Sequence, residues 1–126
     1  MMIAVLSCGR TSEEPAVSDT VINEVKDGLP TLLDLGSTSC VPCQMMEGEL
    51  ERLDEMAGDC LVVTFIDINL DRDAASRHGI RVIPTQLFLA PDGTELYRHE
   101  GYISAEQMLS QWIALGYDLN EAAEVR

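Results

Sequence analysis

Basic residues are scarce in this chain: 8 lysines and arginines stand against 22 aspartates and glutamates, a formal net charge of −14. So acidic a chain is repelled by phosphate backbones and by anionic lipid headgroups, which excludes both as main partners. No apolar run approaches the roughly 18 residues that a bilayer-spanning helix needs. Cysteine is too sparse for a disulfide scaffold, with four in 126 residues. Histidine is scarcer still, His78 and His99, each isolated. A structural zinc site needs two closely spaced ligand pairs, and only one is present, Cys40-Val41-Pro42-Cys43. No metal is therefore expected. What is present suffices for a core: 46% of the residues are hydrophobic, and 126 residues fit one domain.

The first residues form a short apolar stretch ending at Cys8, followed by the polar segment Arg10-Thr11-Ser12-Glu13-Glu14-Pro15. Val5-Leu6-Ser7-Cys8 resembles the lipobox of a bacterial lipoprotein signal, in which the cysteine carries lipid. The expectation is an extracytoplasmic lipoprotein with 1–17 as a tether, the alternative being a cytoplasmic protein with a frayed start. Residues 18–116 are read as the domain and 117–126 as an acidic tail.

Hydrophobic periodicity places the elements. Val21, Ile22 and Val25 mark a short amphipathic helix after Ser18-Asp19. Thr31-Leu32-Leu33-Asp34-Leu35 reads as a buried strand interrupted by one acid. From Cys43 to Ala57, Met46, Leu50, Leu53 and Ala57 recur at helical spacing. The β-branched run Cys60–Ile68 reads as a strand, and Asp71–His78 as a short helix ending at Gly79. Two strands, Thr85–Leu89 and Glu95–Glu100, flank the turn Pro91-Asp92-Gly93-Thr94. Ser104-Ala105-Glu106-Gln107 is a capping box opening a last helix with Met108, Leu109, Trp112 and Ile113. This order implies an α/β domain, a mixed sheet of about four strands with helices on both faces.

Cys40 follows a strand and a loop and stands at a helix start. Unpaired N–H groups and the helix dipole stabilise an anion there, so its thiolate is favoured. Pro42 suits the first turn, where a missing N–H costs little. Cys43, three residues on, is a helical neighbour of Cys40 and close enough to bridge it. The pattern therefore predicts an exposed nucleophile backed by a resolving thiol. Asp34 either faces solvent or is buried beneath the sheet, where its pKa would rise and it could exchange a proton near Cys43. Ile83-Pro84-Thr85 stands before a strand; the ordinary reading is a trans loop proline, and a cis bond would expose groups for substrate pairing. Cys60 reads as a buried apolar residue, Met45, Met46 and Met56 as helix packing, His78 and His99 as surface residues, and Glu47–Glu55 as a solvated helix face.

The strand Thr31–Leu35, then Cys40-Val41-Pro42-Cys43, then Gly79-Ile80-Arg81-Val82-Ile83-Pro84-Thr85, in this order and spacing, resembles the thioredoxin family over about Leu29 to Leu115. The resemblance implies the thioredoxin fold, three layers α/β/α, with Cys40 as attacking thiolate and Cys43 as resolver. It further implies Asp34 as a buried acid and Pro84 as a cis proline at the active site. Val41, Pro42, Ile83 and Thr85 then form, with Pro84, the substrate-binding surface. The chain departs from the family pattern at several positions. Ser39-Cys40-Val41-Pro42-Cys43 replaces Trp-Cys-Gly-Pro-Cys, and Gly36 stands where an aromatic is usual. Phe65 replaces the lysine near the buried acid, and Gly48 the helix-kinking proline.

The expected activity is thiol–disulfide exchange on protein substrates, with no cofactor beyond the cysteine pair. The motif variant resembles envelope proteins fed by a membrane thiol-electron transporter, and a monomer serving that partner is expected. The alternatives are a general cytoplasmic thioredoxin fed by thioredoxin reductase, a non-catalytic adaptor with this fold, and a metallochaperone.

Overall fold

A computed structural model describes residues 28–119. The readings that fall on 1–27 and 120–126, among them the Cys8 lipobox, the helix after Ser18-Asp19 and most of the acidic tail, lie outside the described residues.

The run Thr31–Gly36 forms β1, and all six of its residues are buried. A nearly continuous apolar strand is what a sheet covered on both faces requires. Alternate side chains divide between two cores. Leu32 joins the larger one with Met46, Leu53, Phe88, Met108 and Trp112, while Leu33 and Leu35 join a smaller one with Ala74 and Leu87. β1 pairs in parallel with β2 (Val62–Asp67) and antiparallel with β3 (Thr85–Leu89). β3 in turn pairs antiparallel with β4 (Glu95–Glu100). The sheet is mixed and four-stranded in the order β2-β1-β3-β4.

The helix α1 (Val41–Ala57) buries Cys43, Met46, Leu50, Leu53 and Ala57, the stripe expected from their spacing. α3 (Ala105–Ala114) packs on the same face of the sheet and buries Met108, Leu109 and Trp112. The short α2 (Arg72–Arg77) contributes Ala74 to the opposite face. Glu49 of α1 ties the two large helices together: its carboxylate accepts the Ala105 N–H at 2.8 Å and the Tyr102 hydroxyl at 2.7 Å. These bonds, the Ala105 amide foremost, hold the Glu49 carboxyl below its ordinary pKa. Glu49 is thus not part of a purely solvated face.

Several limits differ from the sequence reading by one or two residues, α1 starting at Val41 instead of Cys43 and α2 spanning Arg72–Arg77 instead of Asp71–His78, and the difference at the start of β2 has a visible cause. The strand expected from Cys60 begins at Val62, because Gly58–Cys60 forms a 3₁₀ turn at the end of α1. Gly58, at φ 60°, turns the chain out of the helix, and both Cys60 and Leu61 dip into the larger core. β-Branched composition marks a strand well but does not mark where the backbone enters the sheet. The β3–β4 hairpin has the expected limits. Its turn is closed by Gly93 N–H to Ala90 O at 2.8 Å and by Thr94 N–H to the Asp92 carboxylate at 2.9 Å.

The capping box of α3 is complete: the Ser104 hydroxyl accepts the Gln107 N–H at 3.2 Å, and Gln107 Oε1 accepts the Ser104 N–H at 3.1 Å. Ser104→Ala should lower the unfolding free energy by about 1 kcal/mol. Urea melts of both chains check this, and equal midpoints would mean that the box contributes nothing.

Candidate active site

β1 ends at Gly36, and the loop that follows is pinned before it reaches the helix. The Ser37 hydroxyl accepts the Ser39 N–H at 3.1 Å and the Asn69 side-chain amide at 2.9 Å. Ser37 O accepts the Cys40 N–H at 3.2 Å. Cys40 is the N-cap of α1 in an extended conformation, and its Sγ accepts the Cys43 N–H at 3.3 Å. Pro42 lies in the first turn, as its missing N–H predicts. Cys40 and Cys43 form a disulfide across 5.2 Å between Cα atoms. The two sulfurs are unequal: Cys40 is half-exposed, whereas Cys43 is only 5% exposed. Val41 is 65% exposed beside them, with Pro42 and Met45 also at the surface.

Cys43 lies directly over β1. A Cβ placed on Gly36 would stand 2.9 Å from Cys43 Sγ, 3.3 Å from its Cβ and 3.5 Å from the Phe65 ring. The absence of a side chain at Gly36 therefore has a packing cause, since the resolving cysteine occupies the space. Gly36→Ala should cost about 1–3 kcal/mol through overpacking. Guanidinium unfolding of the oxidised protein measures the loss. A midpoint equal to that of the parent would show that the strand yields freely.

Asp34 is two residues before Gly36 and so points to the same face, roughly 7 Å along the strand. It is fully buried, which decides between the two readings the pattern left open. The register places a row across this face of the sheet: Phe65 of β2 beside Asp34, then Gln86 of β3, then His99 of β4. Gln86 Nε2 donates to Asp34 Oδ1 at 3.0 Å, whereas Oδ2 has no partner. Burial pushes the Asp34 pKa up from 3.8 to about 6, with the Gln86 amide pulling in the opposite direction. Phe65, standing in for a cation, offers the carboxylate no charge. Gln86 Oε1 is itself 2.9 Å from His99 Nδ1.

The Ile83–Pro84 peptide is cis, and Pro84 O accepts the Gly101 N–H at 2.7 Å. Leu35 pairs with Thr85, which brings Pro84 alongside Gly36 at the end of the sheet that carries the cysteines. Thr85 is buried, its hydroxyl donating to Val82 O at 2.7 Å, and Ile83 is half-buried. An open groove of about 490 Å³ lies between α1 and β2 on the Cys43 side, with Val63 and Phe65 along the strand and Glu47, Glu51 and Asp54 along the helix.

The sequence positions Asp34, Cys40, Cys43, Pro84 and Thr85 thus converge on one end of the sheet. Two members of the row across the sheet were missed. Gln86 lies within an apolar run, and its amide was the one available signal. His99 was read as a surface residue, but it is half-buried and bonded to Gln86. Only the β3–β4 register reveals that contact. His78 is likewise half-buried, and its backbone oxygen accepts from Arg98 at 2.7 Å.

A disulfide bridging the first turn of a helix, next to a cis proline and over a buried carboxyl, defines a thiol–disulfide redox site. A family model described as a thioredoxin-like domain matches residues 18–114, and the chain belongs to that family, whose members are disulfide oxidoreductases. It is 33% identical over 85 residues to thioredoxin of Bacillus subtilis, covering 68% of this chain and 80% of that one. It is 34% identical over 86 residues to the chloroplastic thioredoxin Y of Oryza sativa, covering 68% of this chain but only 51% of the rice protein. The chain therefore spans about half the length of that relative. Among solved structures, the germline-specific thioredoxin Deadhead of Drosophila melanogaster superposes with a TM-score of 0.60 at 29% identity, over 71% of this chain and 82% of that one. A malaria-parasite thioredoxin-2 gives 0.67 at 18% identity, over 71% and 85%, a likeness of fold alone.

Proposed function

We propose that the chain reduces protein disulfides through the Cys40–Cys43 couple and receives its electrons from a membrane thiol-electron transporter. The observation that carries the reading is the inequality of the two sulfurs: Cys40 is reachable at the N-cap, and Cys43 is buried behind it. In the reduced protein the Cys40 thiolate is stabilised by the helix N-terminus, where the Cys43 N–H already points at its sulfur. The thiolate attacks one sulfur of a substrate disulfide, and the other sulfur leaves as a thiolate. Cys43, losing its proton, then attacks Cys40 Sγ and releases the second substrate thiol. Two electrons pass from the dithiol to the substrate, and the Cys40–Cys43 disulfide remains. Asp34, buried on the face that Cys43 covers, is the acceptor for the Cys43 proton. Val41, Pro42 and the half-buried Ile83 offer the side-chain surface against which the substrate chain lies, and Pro84 and Thr85, expected from the sequence to share it, are buried and shape it from behind.

The dedicated donor is favoured by the absence of an aromatic before Cys40, which leaves Ser39 and Val41 as the local surface. The equilibrium potential of the couple against glutathione tests the direction of flow. A value toward the reducing end of the known range, near −270 mV, supports a reductase. A value near −120 mV would overturn it in favour of an oxidant.

A further inference from the structure

The row across the sheet beneath the disulfide runs from Phe65 on β2 through Asp34 and Gln86 to an imidazole, His99, on β4. Gln86 Nε2 donates to Asp34, so its Oε1 is the atom facing His99, and an oxygen there only accepts. The ring must then carry hydrogen on Nδ1. We propose that His99 is a positioning residue for the reaction, fixing through Gln86 which end of the carboxamide Asp34 meets and thereby coupling the proton Asp34 takes from Cys43 to one released by the imidazole. This rests on the reading of Asp34 as the acceptor for that proton.

The coupling follows from the donor and acceptor inventory. Two arrangements pair the carboxamide at both ends without leaving a buried O–H donor unpaired, one Asp34 oxygen having no partner in either. In the first, ionised Asp34 accepts from the Gln86 NH₂, and Gln86 Oε1 accepts from His99 Nδ1–H, whether the ring is neutral or charged. In the second, protonated Asp34 donates to Gln86 Oε1, and the turned amide donates to the bare Nδ1 of a neutral ring. An imidazolium has no lone pair and is compatible with the first arrangement alone. A charged His99 thus favours ionised Asp34, and a proton arriving on Asp34 favours a neutral His99. The linkage is reciprocal by necessity. The proton that leaves Cys43 stays on Asp34, and where the ring is charged its own proton passes from the half-exposed imidazole to water.

Little else acts on the buried end. Asp34 is flanked by Phe65 on β2, Gln86 on β3 and the Cys43 side of α1, and only burial and the Gln86 amide perturb it. On the strand of His99, Arg98 pairs with Glu95 and Glu100 with Arg81. On the helices of that face, Glu49 and Arg52 of α1 and Glu106 of α3 are paired with one another. Glu47, Glu51 and Asp54 of α1 line the groove beside Phe65 but make no hydrogen bond to the row, so among the described residues His99 is the ionisable group linked to Asp34 by hydrogen bonds.

Carbon-13 and nitrogen-15 NMR of the labelled full chain tests this. Above pH 7 the nitrogen shifts of His99 in the unmodified protein should report hydrogen on Nδ1, and an Nε2–H ring would overturn the proposal. His99→Phe frees the carboxamide to turn, and the Asp34 carboxyl titration should move up by about 0.5–1 pH unit. In His99→Asn the side-chain amide can donate in place of Nδ1–H, and the Asp34 titration should return close to that of the parent. An unchanged Asp34 titration in His99→Phe would overturn the coupling and leave the acceptor reading standing. The acceptor reading is tested separately, by the single-turnover rate of Cys43 attack. If Asp34→Asn leaves that rate and its pH profile unaltered, the acceptor reading falls and takes the proposal with it.

Discussion

Cys40→Ser should reduce the turnover of a model protein disulfide to the uncatalysed level, a loss on the order of 10³-fold or more. Cys43→Ser should instead attack once and stop as a mixed disulfide. The asymmetry follows from placement. Cys40 caps the helix at the surface, so its thiolate is both stabilised and reachable. A serine there is a far weaker nucleophile at neutral pH and has no disulfide chemistry. Cys43, pressed against Gly36, cannot meet a substrate, but it is held where it can attack a sulfur already bonded to Cys40. Insulin precipitation with dithiothreitol reads the first effect. Non-reducing gels of Cys43→Ser with oxidised substrate read the second. A covalent adduct formed by Cys40→Ser and not by Cys43→Ser would reverse the assigned roles.

The second large effect concerns stability. A carboxyl whose pKa is about 6 in the folded chain and near 3.8 when unfolded holds its proton more tightly in the native state. Below the lower value both states are protonated and the site costs nothing. Between the two values the unfolded chain ionises first, so native stability falls as pH rises, and above about 6 the loss is complete. The difference corresponds to about 3 kcal/mol. Asp34→Asn keeps the shape and cannot ionise, so its stability relative to the parent should be about 2.5 kcal/mol more favourable at pH 8 than at pH 4, where the unfolded chain is already partly ionised. Denaturant unfolding at the two pH values, with all other conditions fixed, decides it. A constant difference would mean that Asp34 is not a buried ionisable group. The same replacement should remove the rise in the rate of Cys43 attack as pH climbs through about 6, because the acceptor must be ionised to take the proton.

How much of the structure is legible in the sequence depends on how local each signal is. The Pro91-Asp92-Gly93-Thr94 turn and the Ser104–Gln107 box are complete within a few residues, and both elements fall where expected. The helix stripe from Cys43 to Ala57 is equally self-contained. Asp34 is different. Its burial depends on what covers a strand, and periodicity alone left two faces open until the likeness to thioredoxins favoured one. The Asp34–Gln86–His99 row was illegible because Asp34 stands 52 residues before Gln86, and the hairpin turn alone does not say which residues of β3 and β4 face one another. His99 stands between Arg98 and Glu100, and in such company a histidine looks like part of a wet surface. Cross-strand register, which no single segment encodes, turns it inward.

The outer strand of the sheet has a consequence for behaviour at high concentration. β4 is an edge strand of the described sheet and carries Glu95, Arg98 and Glu100, two of them acidic in a chain of net charge −14. Open strand edges invite pairing between molecules, and ionic residues along them oppose it. Two copies meeting edge to edge at β4 would bring these charged groups and their copies close together and partly desolvate them. Colloidal self-association through this strand is thus disfavoured by the same short segment that carries His99 to the buried row.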